Sequence, residues 1–177
     1  MEFSPFLLQF PEIGPKELRV INLQPDLGEL PKGEYGLIEM YCEDKKCDCR
    51  RAMIFVFPPD LKLTNKPLAV ISYGWELKAF YKNWAPHFND LDIAWYKGPA
   101  LDPLQYQSKH SEFFLEVFKE ALKDPKYKER LIRHYVMFKQ KMGMKLPKNL
   151  VNWSSAFLDC GCGSGLKFKF CCGKGLK

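Results

Sequence analysis

The side chains of this 177-residue chain with the most chemistry in them are its seven cysteines, and they fall into two groups. Four come at the end of the sequence, as Cys160-Gly-Cys162, eight intervening residues, then Cys171-Cys172. A structural zinc ion takes four thiolate or imidazole ligands in a tetrahedron, at about 2.3 Å per sulfur. A hairpin that returns 171 and 172 beside 160 and 162 supplies all four. Gly161, Gly163 and Gly165 allow the tight positive-φ turns of such a knuckle. The run Leu166-Lys-Phe-Lys-Phe170 alternates apolar and basic residues as a short strand does. As plain thiols, these cysteines would lack the apolar surroundings that free cysteines normally have. Two disulfides are the other option, but an adjacent Cys-Cys pair is awkward to bridge and reducing compartments disfavour it.

The second group reads Cys42-Glu-Asp-Lys-Lys-Cys47-Asp-Cys49-Arg-Arg. One strand is expected to end at Tyr41 and its neighbour to begin near Arg51, so the three thiols converge at a hairpin tip. They provide three ligands of a second metal site. The fourth would come from one of the three histidines, His87, His110 or His134, or from a carboxylate such as Asp44 or Asp48. His110 is the expected ligand, because it sits near a helix start from which a side chain can reach outward. His87 is expected on a surface loop, and His134 as a hydrogen-bonded histidine at the border of an apolar stripe. Two other readings stand beside the metal site. The thiols can be unmetallated on a polar loop. Alternatively, a three-sulfur site with an open position, next to Arg50 and Arg51, would be the centre of a metal- or thiol-dependent enzyme. The arginines equally serve to neutralise a thiolate-rich cluster.

The last 18 residues, Cys160 to Lys177, including the Cys-Gly-Ser-Gly turn, resemble the SEC-C motif. That motif ends the preprotein translocase motor SecA and many bacterial proteins. The usual form carries prolines where this chain has Asp159 and Gly161, which loosens the loop and leaves every ligand in place. The Tyr-Cys…Cys-Asp-Cys-Arg-Arg run is similar to one found ahead of an apolar strand in several SEC-C-ending proteins. The resemblance implies a zinc ion at the tail and a role in contacting a protein or the ribosome.

Other chemistry is sparse. There is no Gly-x-Gly-x-x-Gly, no phosphate-loop signature and no His-Glu-x-x-His. Gly163-Ser-Gly165 lies inside the knuckle and lacks the strand-turn-helix setting of a nucleophilic serine. A site closed by four protein ligands has no position for a reacting water. The expected function is therefore a non-catalytic zinc protein that docks on a macromolecule.

Composition fits a folded domain, with 46% hydrophobic and 15% aromatic residues. No stretch approaches the ~20 apolar residues of a membrane span. The first residues lack the basic and apolar regions of a signal peptide. With metal-type cysteine spacing, this points to the cytoplasm. Charge is uneven. Residues 1–122 carry 14 basic and 18 acidic side chains, residues 123–148 nine and two, and residues 149–177 four and one. This basic C-terminal third would steer RNA or an acidic protein face, or simply keep a lysine-rich helix solvated.

The fold class expected is α+β: an antiparallel sheet with packed helices, two of them as an αα-hairpin, plus a small C-terminal zinc knuckle. Residues 1–145 would form the α+β domain with the cysteine-rich loop, 146–156 a linker and 157–177 the knuckle. Strands are expected over 17–23, 34–41, 51–57 and 68–73, the last three as a meander. Residues 1–16 read as an irregular arm, with room for a short strand, packed by Phe3, Phe6 and Phe10. A short helix is expected over 76–84, and turns over 89–103. Two longer helices follow. The first is capped by Ser108 or Ser111, with Phe114, Val117, Phe118, Ala121 and Leu122 on one face. The second starts at Asp124-Pro125 and ends at Gly143, with a stripe of Tyr127, Leu131, Tyr135, Phe138 and Met142.

Overall fold

The computed structural model describes residues 2–24, 28–58, 66–146 and 150. The expected linker beyond 146 (apart from Leu150) and the tail with Cys160, Cys162, Cys171 and Cys172 lie outside the described residues.

The elements run β1 (Phe3–Pro5), α1 (Phe6–Gln9), α2 (Gly14–Glu17), β2 (Arg19–Leu23), β3 (Gly33–Cys42), β4 (Arg51–Phe57), β5 (Ala69–Gly74), α3 (Lys78–Trp84), α4 (Asp90–Lys97), β6 (Ala100–Leu101), α5 (Ser111–Ala121) and α6 (Pro125–Lys141). All six strands form one antiparallel sheet, so the class is α+β. The order along it is β1-β3-β4-β5-β6, and β2 also pairs with β3. β3 is long enough to take two short partners on one edge: β2 against Gly33 to Leu37, and β1 against Met40 to Cys42. The middle strands are the expected meander. Register places Glu39 opposite Ile54 and Ile54 opposite Ile71.

Alternation divides the sheet into two buried faces. On one, Leu37, Ile54, Val56, Ile71 and Tyr73 pack with Phe114 and Phe118 of α5 and with Tyr127, Leu131, Tyr135 and Phe138 of α6. On the other, α4 covers β5: the Ser72 hydroxyl donates to the Tyr96 carbonyl at 3.5 Å, and the Arg51 guanidinium lies over the Tyr96 and Trp95 rings. Double coverage is why Ala-Met-Ile-Phe-Val-Phe of β4 has no polar side chain. Leu150, within the expected linker, is buried against the α5/α6 side of the core.

Several expectations need correction. The strand expected from residue 17 begins at Arg19, because Glu17 closes α2. Residues 89–103, expected as turns, contain α4. Asn89 accepts from Leu91 and Asp92 backbone N–H groups while Asp92 accepts from Asn89, a reciprocal capping box. At α5 neither serine caps as expected. The helix begins at Ser111 with His110 in the cap position and no side-chain cap bond, and Ser108 accepts from the His110 N–H at 3.1 Å. Asp124 does cap α6, accepting from the Lys126 N–H at 3.0 Å, with Pro125 in its first turn, and Gly143 takes φ 81 just beyond its end. Among the described residues no helix is long and apolar enough to cross a membrane.

Gly74, the last residue of β5, makes a close approach possible. A Cβ there would run into the hydroxyl and ring of Tyr81. That hydroxyl donates to the Arg50 carbonyl at 2.8 Å and accepts from the Glu76 N–H at 3.3 Å. Gly74→Ala is therefore expected to push Tyr81 off Arg50 and to cost about 1–3 kcal/mol, the usual range for overpacking. Urea denaturation of the variant measures it, and an unchanged midpoint would mean that Tyr81 moves aside freely.

Candidate metal centre

The cysteine loop, residues 43–50, joins β3 to β4. Asp44 turns it: its carboxylate accepts from the Lys46 N–H at 2.8 Å and its carbonyl from the Cys47 N–H at 3.1 Å. The same carbonyl accepts from the ammonium of Lys139 at 2.8 Å, and Lys139 is fully buried on α6. Arg50 ends the loop in left-handed backbone geometry, φ 44, which a side chain other than glycine adopts only at a cost. Its backbone is held from both sides, the N–H by the Tyr135 hydroxyl at 3.3 Å and the carbonyl by Tyr81. Its guanidinium is held by Asp48 and Glu76, at 3.0 and 2.8 Å, and stacks over Phe80 at 4.6 Å.

These anchors bring Cys42, Cys47 and Cys49 together. Their sulfurs all lie within 4.8 Å of one another. Cys42 and Cys49 are buried and Cys47 is half-buried. The edge of a tetrahedron with metal–sulfur bonds of about 2.3 Å is about 3.8 Å, so small side-chain adjustments close the trio on one ion. The three cysteines lie close enough together to hold a metal ion.

Charge in the cluster is already distributed for this. Hydrogen bonds from Cys47 and Cys49 pull the Cys42 thiol far below its usual range, with the Lys139 ammonium acting in the same direction. Cys47 and Cys49 are pushed up, first by their hydrogen bonds with Cys42 and then, for Cys49, by its bond with Cys47 and by burial. The buried Lys139 ammonium beside the trio favours negative charge on its sulfurs. Burial also raises the phenol of Tyr135, whose hydroxyl donates to Asp48 at 2.9 Å.

The structure does not bring the expected histidine to this trio. His110 lies at the start of α5 beside the Lys109–Glu29 ion pair. His87 is exposed after α3. His134 is buried elsewhere, between Glu39 and Glu17, at 2.5 and 2.9 Å from its two ring nitrogens, and fills the hydrogen-bonded role expected of it. Asp48 is taken by Arg50 and Tyr135, and the Asp44 carboxylate by the Lys46 N–H. Among the described residues no histidine or carboxylate joins the sulfur group.

Sequence reasoning missed Lys139 and Tyr135 as parts of the site. The signal was present in the helical spacing: Leu131, Tyr135 and Lys139 recur every fourth residue, so a lysine falls on a buried stripe. A lysine there needs a carbonyl or an anion, and the cysteine loop provides both.

No family model, no curated protein and no solved structure matches this chain. Its class therefore rests on the fold and the site alone: an α+β protein whose six-stranded antiparallel sheet carries a three-cysteine loop at one end.

Proposed function

We propose that this is a non-catalytic zinc protein, in which a metal ties down the hairpin loop through Cys42, Cys47 and Cys49 and a SEC-C-like tail docks on a protein partner or the ribosome. The observation that carries the proposal is the convergence of the three sulfurs within 4.8 Å, two of them buried, on a loop anchored by Lys139, Tyr135 and Tyr81. Free thiols held this close together are prone to oxidation; a metal removes that liability and fixes the loop. The three thiolates carry one negative charge more than a divalent ion neutralises, and the Lys139 ammonium offsets it. The fourth ligand is a group other than His110. The docking role is supported by the resemblance of Cys160 to Lys177 to the SEC-C knuckle.

Elemental analysis and X-ray absorption on the full-length protein test both sites. The wild type is expected to carry two zinc equivalents. Cys171→Ser is expected to lose one and leave the α+β domain folded by circular dichroism. The zinc that remains should show three sulfur neighbours from the hairpin loop. No sulfur-bound metal in that variant would sink the hairpin site, and an unchanged metal content would sink the tail site. Three sulfurs plus an exchangeable oxygen at the hairpin would replace the non-catalytic reading with that of a metal-dependent enzyme.

A further inference from the structure

A groove with a cavity of about 650 Å³ opens between the end of β5, the turn after α4 and the junction of α5 with α6. Its lining separates into two kinds of surface. One is apolar and aromatic, with Tyr73, Trp75, Leu122 and Ile132. The other is cationic, with Lys97, Lys119, Lys123 and Lys128 against a single carboxylate, Glu129. Lys119 and Lys123 pair with Glu116 and Glu120 one turn back at exposed positions, and such pairs hold their partners weakly. Among the described residues no carboxylate forms an ion pair with Lys97 or Lys128.

We propose that this groove binds a nucleoside phosphate, with the base against the Trp75 and Tyr73 side and the phosphates among the lysines. The volume lies within the roughly 300–1,000 Å³ of small-molecule sites. Inorganic phosphate would leave the aromatic surface unused, and an apolar ligand would leave four ammonium groups facing it. The nucleotide can arrive free or as part of a single-stranded RNA, since both present the same base and phosphate chemistry. This site is independent of the metal centre, so Cys171→Ser or the loss of zinc from the hairpin leaves the proposal standing or failing on its own.

Isothermal titration of the full-length protein with AMP, ADP, ATP, inorganic phosphate and a short single-stranded oligoribonucleotide tests it. The indole N–H resonances are followed in parallel, with Trp75 assigned through Trp75→Phe. A nucleotide is expected to bind with an affinity that rises with phosphate count and falls with salt, and to shift the Trp75 indole resonance. Lys123→Glu and Lys128→Glu, both at exposed positions, are each expected to weaken binding about tenfold by placing like charge against phosphate. Trp75→Leu removes the aromatic wall and is expected to weaken it several-fold, with circular dichroism checking the fold. Tighter binding of the oligonucleotide, with the same sensitivity to these variants, identifies a strand as the source; tighter binding of ATP identifies the free nucleotide. Inorganic phosphate binding as well as ATP overturns the proposal, because the base then contributes nothing. So does an unmoved Trp75 resonance, or binding that neither lysine reversal affects.

Discussion

Cys49→Ser is expected to release the hairpin metal and to lower the melting temperature by roughly 6–12 °C, the equivalent of about 3 kcal/mol in a domain of this size. Cys49 has no exposed surface. A serine there offers zinc a poor ligand and leaves a buried hydroxyl that must find a partner. Zinc bound by preformed thiolates contributes its binding free energy to folding, about 10–16 kcal/mol in small zinc-dependent peptides. Here the sheet folds around both faces by its own packing, so only the loop would depend on the proposed ion and the expected loss is smaller. Scanning calorimetry with and without a chelator reads the effect. The wild type and Cys171→Ser should both melt earlier once chelated, whereas Cys49→Ser should already melt early and ignore the chelator. Cys47→Ser should lose the same metal with a smaller cost in the chelated state, because Cys47 is half-buried. A wild-type midpoint that the chelator leaves unchanged would remove the metal from the account of this loop's stability.

The parts of this site that sequence made legible are those set by local pattern. The strand pattern over residues 34–41 and the continuous apolar run over 51–57 located β3 and β4, and their separation forced the three cysteines to one hairpin tip. Helical periodicity located α5 and α6 because their stripes are long and regular, and Asp124-Pro125 marked the α6 start with a cap whose mechanism is local. Long-range geometry was not legible. His110 had the right residue type and a rigid setting, but whether the end of one helix faces a given hairpin depends on how α5 crosses the sheet, and no local rule fixes that. Lys139 reaches the loop across 95 residues of sequence through its bond to Asp44. Residues 89–103 misled for a different reason. Gly98, Pro99 and Pro103 punctuate the segment heavily, and the Asn89/Asp92 capping box that starts α4 is a shorter, weaker pattern than those breakers. Glu39 was visible on the Tyr35, Leu37, Tyr41 face of β3, yet a carboxylate on a buried face shows only that a partner must exist.

That partner is His134, and His134→Ala is expected to destabilise the domain by about 3 kcal/mol, because it leaves a buried carboxylate without its donor. The imidazole stands where three parts of the fold meet. Its ring stacks on Phe6 of α1 with centroids 3.8 Å apart and planes 10° from parallel. Nδ1 faces the Glu39 carboxylate on β3 at 2.5 Å, and Nε2 lies 2.9 Å from Glu17 of α2 and 3.3 Å from the Arg133 guanidinium. Tyr41 places its hydroxyl 3.0 Å from the same Glu39 carboxylate. A neutral imidazole has one N–H. The shorter, more deeply buried contact puts it on Nδ1 toward Glu39 and leaves Nε2 to accept from Arg133. Burial is the main force holding this state, pushing the imidazole below its ordinary pKa of 6.5, with Arg133 and Arg130 in support and Glu39 opposing. The sign of the pH effect follows. The native state binds this proton less readily than the unfolded chain, so the stabilisation is complete above about pH 6.5 and declines as pH falls below it, by up to about 1.4 kcal/mol per pH unit for one proton. Urea denaturation at pH 7.5 and 5.5 measures it. The wild type should lose more stability between the two than His134→Gln, which keeps a polar side chain but cannot titrate, and the difference between their slopes isolates the histidine from the carboxylates that titrate in both. A wild type that loses less than His134→Gln would show that His134 is an imidazolium bridging Glu39 and Glu17 at neutral pH, and equal slopes would show that folding does not shift its titration. In His134→Ala the N-terminal arm carrying α1 and α2 loses its stacking partner and its link to α6, so amide exchange over residues 6–17 should accelerate ahead of exchange in β3 and β4.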